Sequence, residues 1–210
     1  MTAMSLSIKI CGMADSGNIR EALALRPDYL GLIFHPASPR NACNLNPEEL
    51  AGIREAMKFV GVFVNRPEDE ILARCEAYRL HAVQLHGDES PEFCHSLRGR
   101  GFEVWKAVGI ETVDDINSLE RYAACVDRFV FDRKSPRHGG TGKKFDWSLL
   151  PSYHLPVGFM LGGGIGPEDA DAIVALRHPQ LVGIDLNSRF ELSPGIKDIG
   201  LLNAFFKSLG

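Results

Sequence analysis

Two stretches of this 210-residue chain carry side chains able to move protons. In one, Lys9-Ile10-Cys11-Gly12 ends an apolar run. Residues two apart on a strand share a face, so Lys9 and Cys11 point the same way. An ammonium one rung beneath a thiol favours the thiolate, and a thiolate at a strand end can act as a base. A small buried hydrophobe is the plainer alternative, since that is what most free cysteines are. In the other stretch, Phe129-Val130-Phe131 ends on the carboxylate of Asp132. A basic loop follows, with Arg133, Lys134, Arg137 and Lys143 among Gly139, Gly140 and Gly142. That pattern fits an acid beneath a glycine-rich flap, or simply a strand end and a solvated turn.

Further along, Gly162-Gly163-Gly164 would let backbone N–H groups approach an anion closely. Asn187-Ser188-Arg189 adds N–H donors before a short helical turn. Arg40 follows the rigid Ser38-Pro39 pair, and a guanidinium so presented suits bidentate binding of a carboxylate. His86 and Asp88 invite a metal assignment, but the histidines show neither His-Glu-x-x-His nor a Cys/His cluster. His86 reads as a polar wall residue, and no metal is expected.

These groups need a frame. Short apolar runs alternate with amphipathic ones. Strands are expected at Leu6–Cys11, Asp28–Phe34, Phe59–Val64, Ala82–Leu85, Glu103–Val108, Arg128–Asp132, Val157–Leu161 and Leu181–Leu186. Helices are expected at Ser16–Leu25, Pro47–Met57, Pro67–Tyr78, Pro91–Leu97, Val113–Tyr122, from Asp146, at Pro167–Leu176 and at Ile199–Leu209. Strands joined by helical crossovers are parallel, and runs such as Val60-Gly61-Val62-Phe63-Val64 suit burial on both faces. Eight such units imply one (β/α)8 TIM barrel of eight parallel strands with outer helices, spanning residues 1–210. An open doubly wound sheet is the alternative, but it would place its glycines after the first strand. A barrel gathers the strand ends on one face, and its loops after strands seven and eight often bind phosphate. Closure also sets strand eight beside strand one, which makes Asp185 the natural counter-charge of Lys9.

Composition narrows the function. The net charge of -4 gives no basic footprint for nucleic acid. No apolar run approaches the ~18 residues of a membrane span, and no secretory signal opens the chain. Five scattered cysteines without Cys-x-x-Cys point to reduced thiols in a cytoplasmic setting. The last helix is apolar on one side, as any core-facing helix is, so a monomer is expected.

Several motifs, taken in order, resemble those of the phosphoribosylanthranilate isomerase family. They are Lys9-Ile10-Cys11-Gly12, Ser38-Pro39-Arg40, Val60 to Asn65, Val83-Gln84-Leu85-His86-Gly87, Asp132-x-Lys134-Ser135, Gly140-Thr141-Gly142-Lys143-x-Phe145-Asp146-Trp147, and Asp185 to Asp198. The resemblance runs from the first strand to the last helix. It implies a cofactor-free Amadori rearrangement of N-(5'-phosphoribosyl)anthranilate in tryptophan biosynthesis. It also implies Cys11 as general base, Asp132 as general acid and Arg40 on the anthranilate carboxylate. Gly163, Gly164, Ser188 and Arg189 would hold the phosphate; independently of the resemblance, Lys9, His86 and Asp185 are expected to line the substrate. The flap at Gly140 and Gly142, closing over Phe131 and Phe145, would desolvate the acid. Arg133, Gly166, Asn187 and Arg189 depart from the family's usual residues; an arginine at 189 tolerates positive φ poorly. The competing readings are an indole-glycerol-phosphate synthase-like enzyme relying on Lys106, a metal-dependent epimerase, and a non-catalytic phosphate-binding barrel.

Overall fold

The computed structural model describes residues 6–53, 56–134 and 144–210. Eight parallel strands close in chain order into a barrel: β1 (Ser7–Cys11), β2 (Tyr29–Ile33), β3 (Lys58–Phe63), β4 (Ala82–Leu85), β5 (Glu103–Ile110), β6 (Arg128–Arg133), β7 (Gly158–Leu161) and β8 (Leu181–Leu186). β1 pairs with β2 on one side and β8 on the other, which sets Lys9 opposite Asp185. The crossovers carry α1 (Ser16–Leu23), α2 (Glu68–Tyr78), α3 (Pro91–Gly99), α4 (Val113–Asn117) and α5 (Ala170–Ala175), and α6 (Ile199–Leu209) ends the chain.

Strand alternation builds two cores. Tyr29, Val60, Ala82, Trp105, Ala107, Val130 and Met160 fill the barrel, while Phe59, Phe129, Phe131, Phe159 and Ile184 pack outward under the helices. At the N-terminal end of the barrel, the Arg128 guanidinium lies 5.2 Å from the Trp105 ring and 5.5 Å from the Tyr29 ring, and pairs with Glu103. That plug leaves the C-terminal ends of the strands as the face where polar side chains gather.

Several crossovers are shorter than expected. Of Pro47–Met57, the described part holds a 3-10 turn at Pro47–Leu50, and Trp147–Ser152 is another 3-10 turn. Pro151 lies inside that second turn and has no N–H to extend an α-helical ladder. The expected helix Val113–Tyr122 divides into α4 and a 3-10 segment, Ser118–Tyr122. Pro167–Leu176 likewise opens with a 3-10 turn before α5. A hairpin absent from the sequence-based expectation, β9 (Glu191–Ser193) with β10 (Ile196–Lys197), sits between β8 and α6.

Candidate active site

Cys11 and Lys9 face the barrel interior, as alternation predicts. A Cβ added at Gly31 on the neighbouring strand would lie 2.8 Å from Cys11 Sγ and 3.1 Å from Lys9 Cε, so only glycine leaves room for both. Lys9 Nζ donates to Asp185 Oδ1 at 2.9 Å and is fully buried. Lys9 therefore supports the site from beneath and is too deep to line the substrate, contrary to expectation. Burial opposes its charge, yet Asp185 and Cys11 hold its pKa above the usual lysine value.

The expected thiolate needs correction. Burial pushes the Cys11 thiol above its ordinary pKa; the Lys9 ammonium pulls it down, and the Asp185 carboxylate raises it further. Desolvation of a small anion outweighs one nearby cation that already has a carboxylate partner. Burial thus favours the thiol form of Cys11, held against an ammonium–carboxylate pair.

Asp132 lies one residue before the end of β6, on the same inner face, two residues beyond Val130 of the inner core. Its Oδ1 accepts from the Arg133 N–H at 2.6 Å, and its Oδ2 faces His86 Nε2 at 3.5 Å. That gap is longer than a hydrogen bond, so Oδ2 stays available for a proton. Both side chains are 17% exposed. A cleft of about 360 Å³ opens on the His86 side toward α4, lined by Lys106, Asp115, Tyr122, Arg133 and Lys134 among others, and Asp132 is not part of its wall. Asp185 stands between acid and thiol: burial raises its pKa, Lys9 lowers it, and Asp132 raises it again. Just past β7, the strand between β8 and β6, Gly162 contributes no side chain; a Cβ there would lie 3.5 Å from Asp185 Cβ. Asp185 thus feels both Lys9, beneath the thiol, and Asp132.

The residues expected to bind the anion follow β7 and β8. Gly163 and Gly164 have φ of 73° and 74°, the left-handed region open to glycine. Among the described residues, the N–H groups of Gly163, Gly164, Ser188 and Arg189 make no hydrogen bond within the protein. Ser188 and Arg189 begin a 3-10 turn, Ser188–Phe190, whose first N–H groups have no partner within it. Arg189 does not adopt positive φ, so the arginine side chain costs no backbone strain there. Its guanidinium turns outward to Glu168 at 2.9 Å, leaving the backbone as its contribution to an anion site. Gly166 caps the next turn, its N–H donating to Asp169 Oδ2 at 2.7 Å. Gly163→Ala is expected to destabilise the fold by about 1–2 kcal/mol, the cost of a left-handed non-glycine residue. It should also impair turnover, because the new Cβ would lie 2.7 Å from Asp132 Oδ1. Urea unfolding and steady-state kinetics check both effects; wild-type values in each would remove Gly163 from the site.

A family model for N-(5'-phosphoribosyl)anthranilate (PRA) isomerase matches residues 8–208. The chain belongs to the PRA isomerase family. The enzyme of that name from Parabacteroides distasonis is 44% identical over 96% of this chain and 92% of its own. The phosphoribosyl anthranilate isomerase structure from Thermus thermophilus superposes with a TM-score of 0.82 at 31% identity, covering 97% of this chain and 98% of that one. A further PRA isomerase structure, in complex with reduced 1-(o-carboxyphenylamino)-1-deoxyribulose 5-phosphate, matches at a TM-score of 0.79 and 28% identity, covering 98% of each chain.

Within this PRA isomerase frame, Arg40 lies at the same rim, but its guanidinium is already paired with Glu191, which the sequence reading had not singled out. The signal was thin: one glutamate in a motif-bearing segment, 151 residues from its partner. Lys106, the residue on which the synthase-like reading relied, points out of the barrel. Its ammonium donates to the carbonyls of Leu85, Gly87 and Ala107 and pairs with Glu89 at 3.2 Å. With its donors so engaged, it braces the β4 loop carrying His86. The flap glycines Gly140 and Gly142 lie outside the described residues. Phe131 and Phe145, expected beneath the flap, belong instead to the outer core.

Proposed function

We propose that this chain performs the PRA isomerase reaction with Cys11 as general base and Asp132 as general acid. The substrate is an aldosylamine with a closed ribose ring. Asp132 protonates the ring oxygen, the C1' bond to it breaks, and a Schiff base forms. Cys11 removes the C2' proton, giving an enolamine whose tautomerisation yields the ketone. Protons are moved and nothing is lost, so acid and base must face one sugar from two sides. The observation that carries this reading is that a thiol on β1 and a carboxyl on β6 share the inner C-terminal rim, with Asp185 between them and free N–H groups beside them.

Gly163, Gly164, Ser188 and Arg189 would bind the phosphate through their N–H groups, Arg40 the anthranilate carboxylate, and His86 the wall beside the acid. The five free cysteines suit a reducing, cytoplasmic compartment. Among the described residues the large hydrophobics that stand exposed are Val113, Val174 and Leu192. Their small number supports a monomer, with a small-molecule substrate as partner. Incubation with N-(5'-phosphoribosyl)anthranilate is expected to consume its anthranilate-type fluorescence enzymatically without added cofactor; a preparation that leaves the signal at the uncatalysed rate contradicts the proposal.

A further inference from the structure

Beyond the acid and base, a buried charge cluster lies in the loop region after β8. Glu191, its side chain 5% exposed, accepts at Oε1 from Arg40 Nε at 2.9 Å, Lys197 Nζ at 2.7 Å and the Gly195 N–H at 3.2 Å. Its Oε2 accepts from Arg40 Nε at 3.0 Å and Nη2 at 2.7 Å. Lys197, fully buried, also donates to Asn187 Oδ1 at 2.8 Å. The β9–β10 hairpin is strapped to the first turn of α1 by Lys197 N–H to Asn18 Oδ1 at 2.7 Å and Asn18 Nδ2 to the Lys197 carbonyl at 3.0 Å. The Ala14 N–H adds a third tie, to the Gly195 carbonyl at 3.2 Å.

Two facts give the cluster a direction. Glu191 occupies the Nε–Nη2 side of Arg40, so among the described residues Nη1 and the second Nη2 hydrogen are left for another carboxylate. The cluster also carries two cations against one carboxylate, leaving one positive charge for an incoming anion. It rests directly on the residue after the thiol: a Cβ at Gly12 would lie 2.8 Å from Arg40 Cδ and 2.7 Å from Asn187 Oδ1. A guanidinium fixed in plane by one carboxylate loses little further freedom on binding another.

We infer that Glu191 is a positioning residue for substrate recognition: its carboxylate clamps the Arg40 guanidinium side-on, so that the free end of the fork meets the carboxylate on the substrate's aromatic ring. This rests on the assignment of Arg40 to that carboxylate. Lys197 offsets the charge of the clamp, so that Glu191 does not repel the substrate it helps to bind.

The test is calorimetric titration of the wild type, Glu191→Gln, Arg40→Ala and the double variant with two ligands. One is reduced 1-(o-carboxyphenylamino)-1-deoxyribulose 5-phosphate; the other is its phenylamino counterpart without the carboxylate. Glu191→Gln is expected to weaken the carboxylated ligand ~10- to 100-fold, the worth of one charge-assisted hydrogen bond. The carboxylate-free ligand should bind it within about twofold of the wild type, well under one such bond. On the Arg40→Ala background, Glu191→Gln should add nothing. Equal losses for both ligands would make Glu191 a structural residue and overturn the inference. An Arg40→Ala protein that still prefers the carboxylated ligand as the wild type does would overturn it through the Arg40 assignment, leaving the acid–base reading intact. Thermal melts report folding. Should Glu191→Gln fail to fold, Glu191→Met with Lys197→Met removes both buried charges and carries the same two-ligand comparison.

Discussion

Cys11→Ala is expected to lower kcat/KM by ~10²–10⁴ while leaving the fold in place, the range for removal of one positioned general base. The lost sulfur leaves a small gap beside Gly31, and the Lys9–Asp185 pair beneath stays satisfied without it. Circular dichroism and turnover of N-(5'-phosphoribosyl)anthranilate check the two halves separately. Asp185 is the inner-face group best placed to substitute as base, but one of its oxygens is held by Lys9 at 2.9 Å. A folded Cys11→Ala enzyme with near-wild-type turnover would transfer the base role to Asp185. Chemical labelling gives a second reading. With its pKa raised by burial, Cys11 should resist iodoacetamide at neutral pH and react as the pH climbs, since the thiolate is the nucleophile.

What the sequence made legible follows from which forces are local. The eight strands could be read because a parallel strand buried on both faces leaves a short continuous apolar run, as Phe59 to Phe63 does. The Lys9–Asp185 pair could be read too, because barrel closure fixes the neighbour of β1 without further information. Helix length could not. Leu50, Ile53 and Met57 are all buried at helix-like spacing, yet among the described residues the stretch holds a 3-10 turn at Pro47–Leu50, followed by Gly52, which weakens a helix by ~1 kcal/mol relative to alanine. The β9–β10 hairpin has strands of three and two residues, too short for any alternation to register. The balance at Cys11 was misjudged for a different reason. Spacing reveals a cation beside a thiol, but not how much water the fold removes, and here the removal of water dominates. The Arg40–Glu191 pair joins the loop after β2 to the loop after β8, a contact that only the closed barrel creates.

Asp132→Asn should also cost ~10²–10⁴ in kcat/KM, and the pH dependence of what remains is the sharper result. In the intact enzyme the acid must carry its proton while the base has lost one, so the two ionisations oppose each other in the profile. An asparagine removes the acid's ionisation and leaves Cys11 to control the residual rate. The sign follows from the raised thiol pKa: below it the base is protonated and inactive, so residual kcat/KM should climb about tenfold per pH unit on approach to that pKa and level off above it. The asparagine keeps the shape of the side chain and can still accept from the Arg133 N–H, so the β6 end should hold its place. A residual rate independent of pH would mean that the thiol is not the proton acceptor. A residual rate that instead fell as pH rose would point to a second acid at the rim, and His86, 3.5 Å from Asp132 Oδ2, is the group positioned to be it.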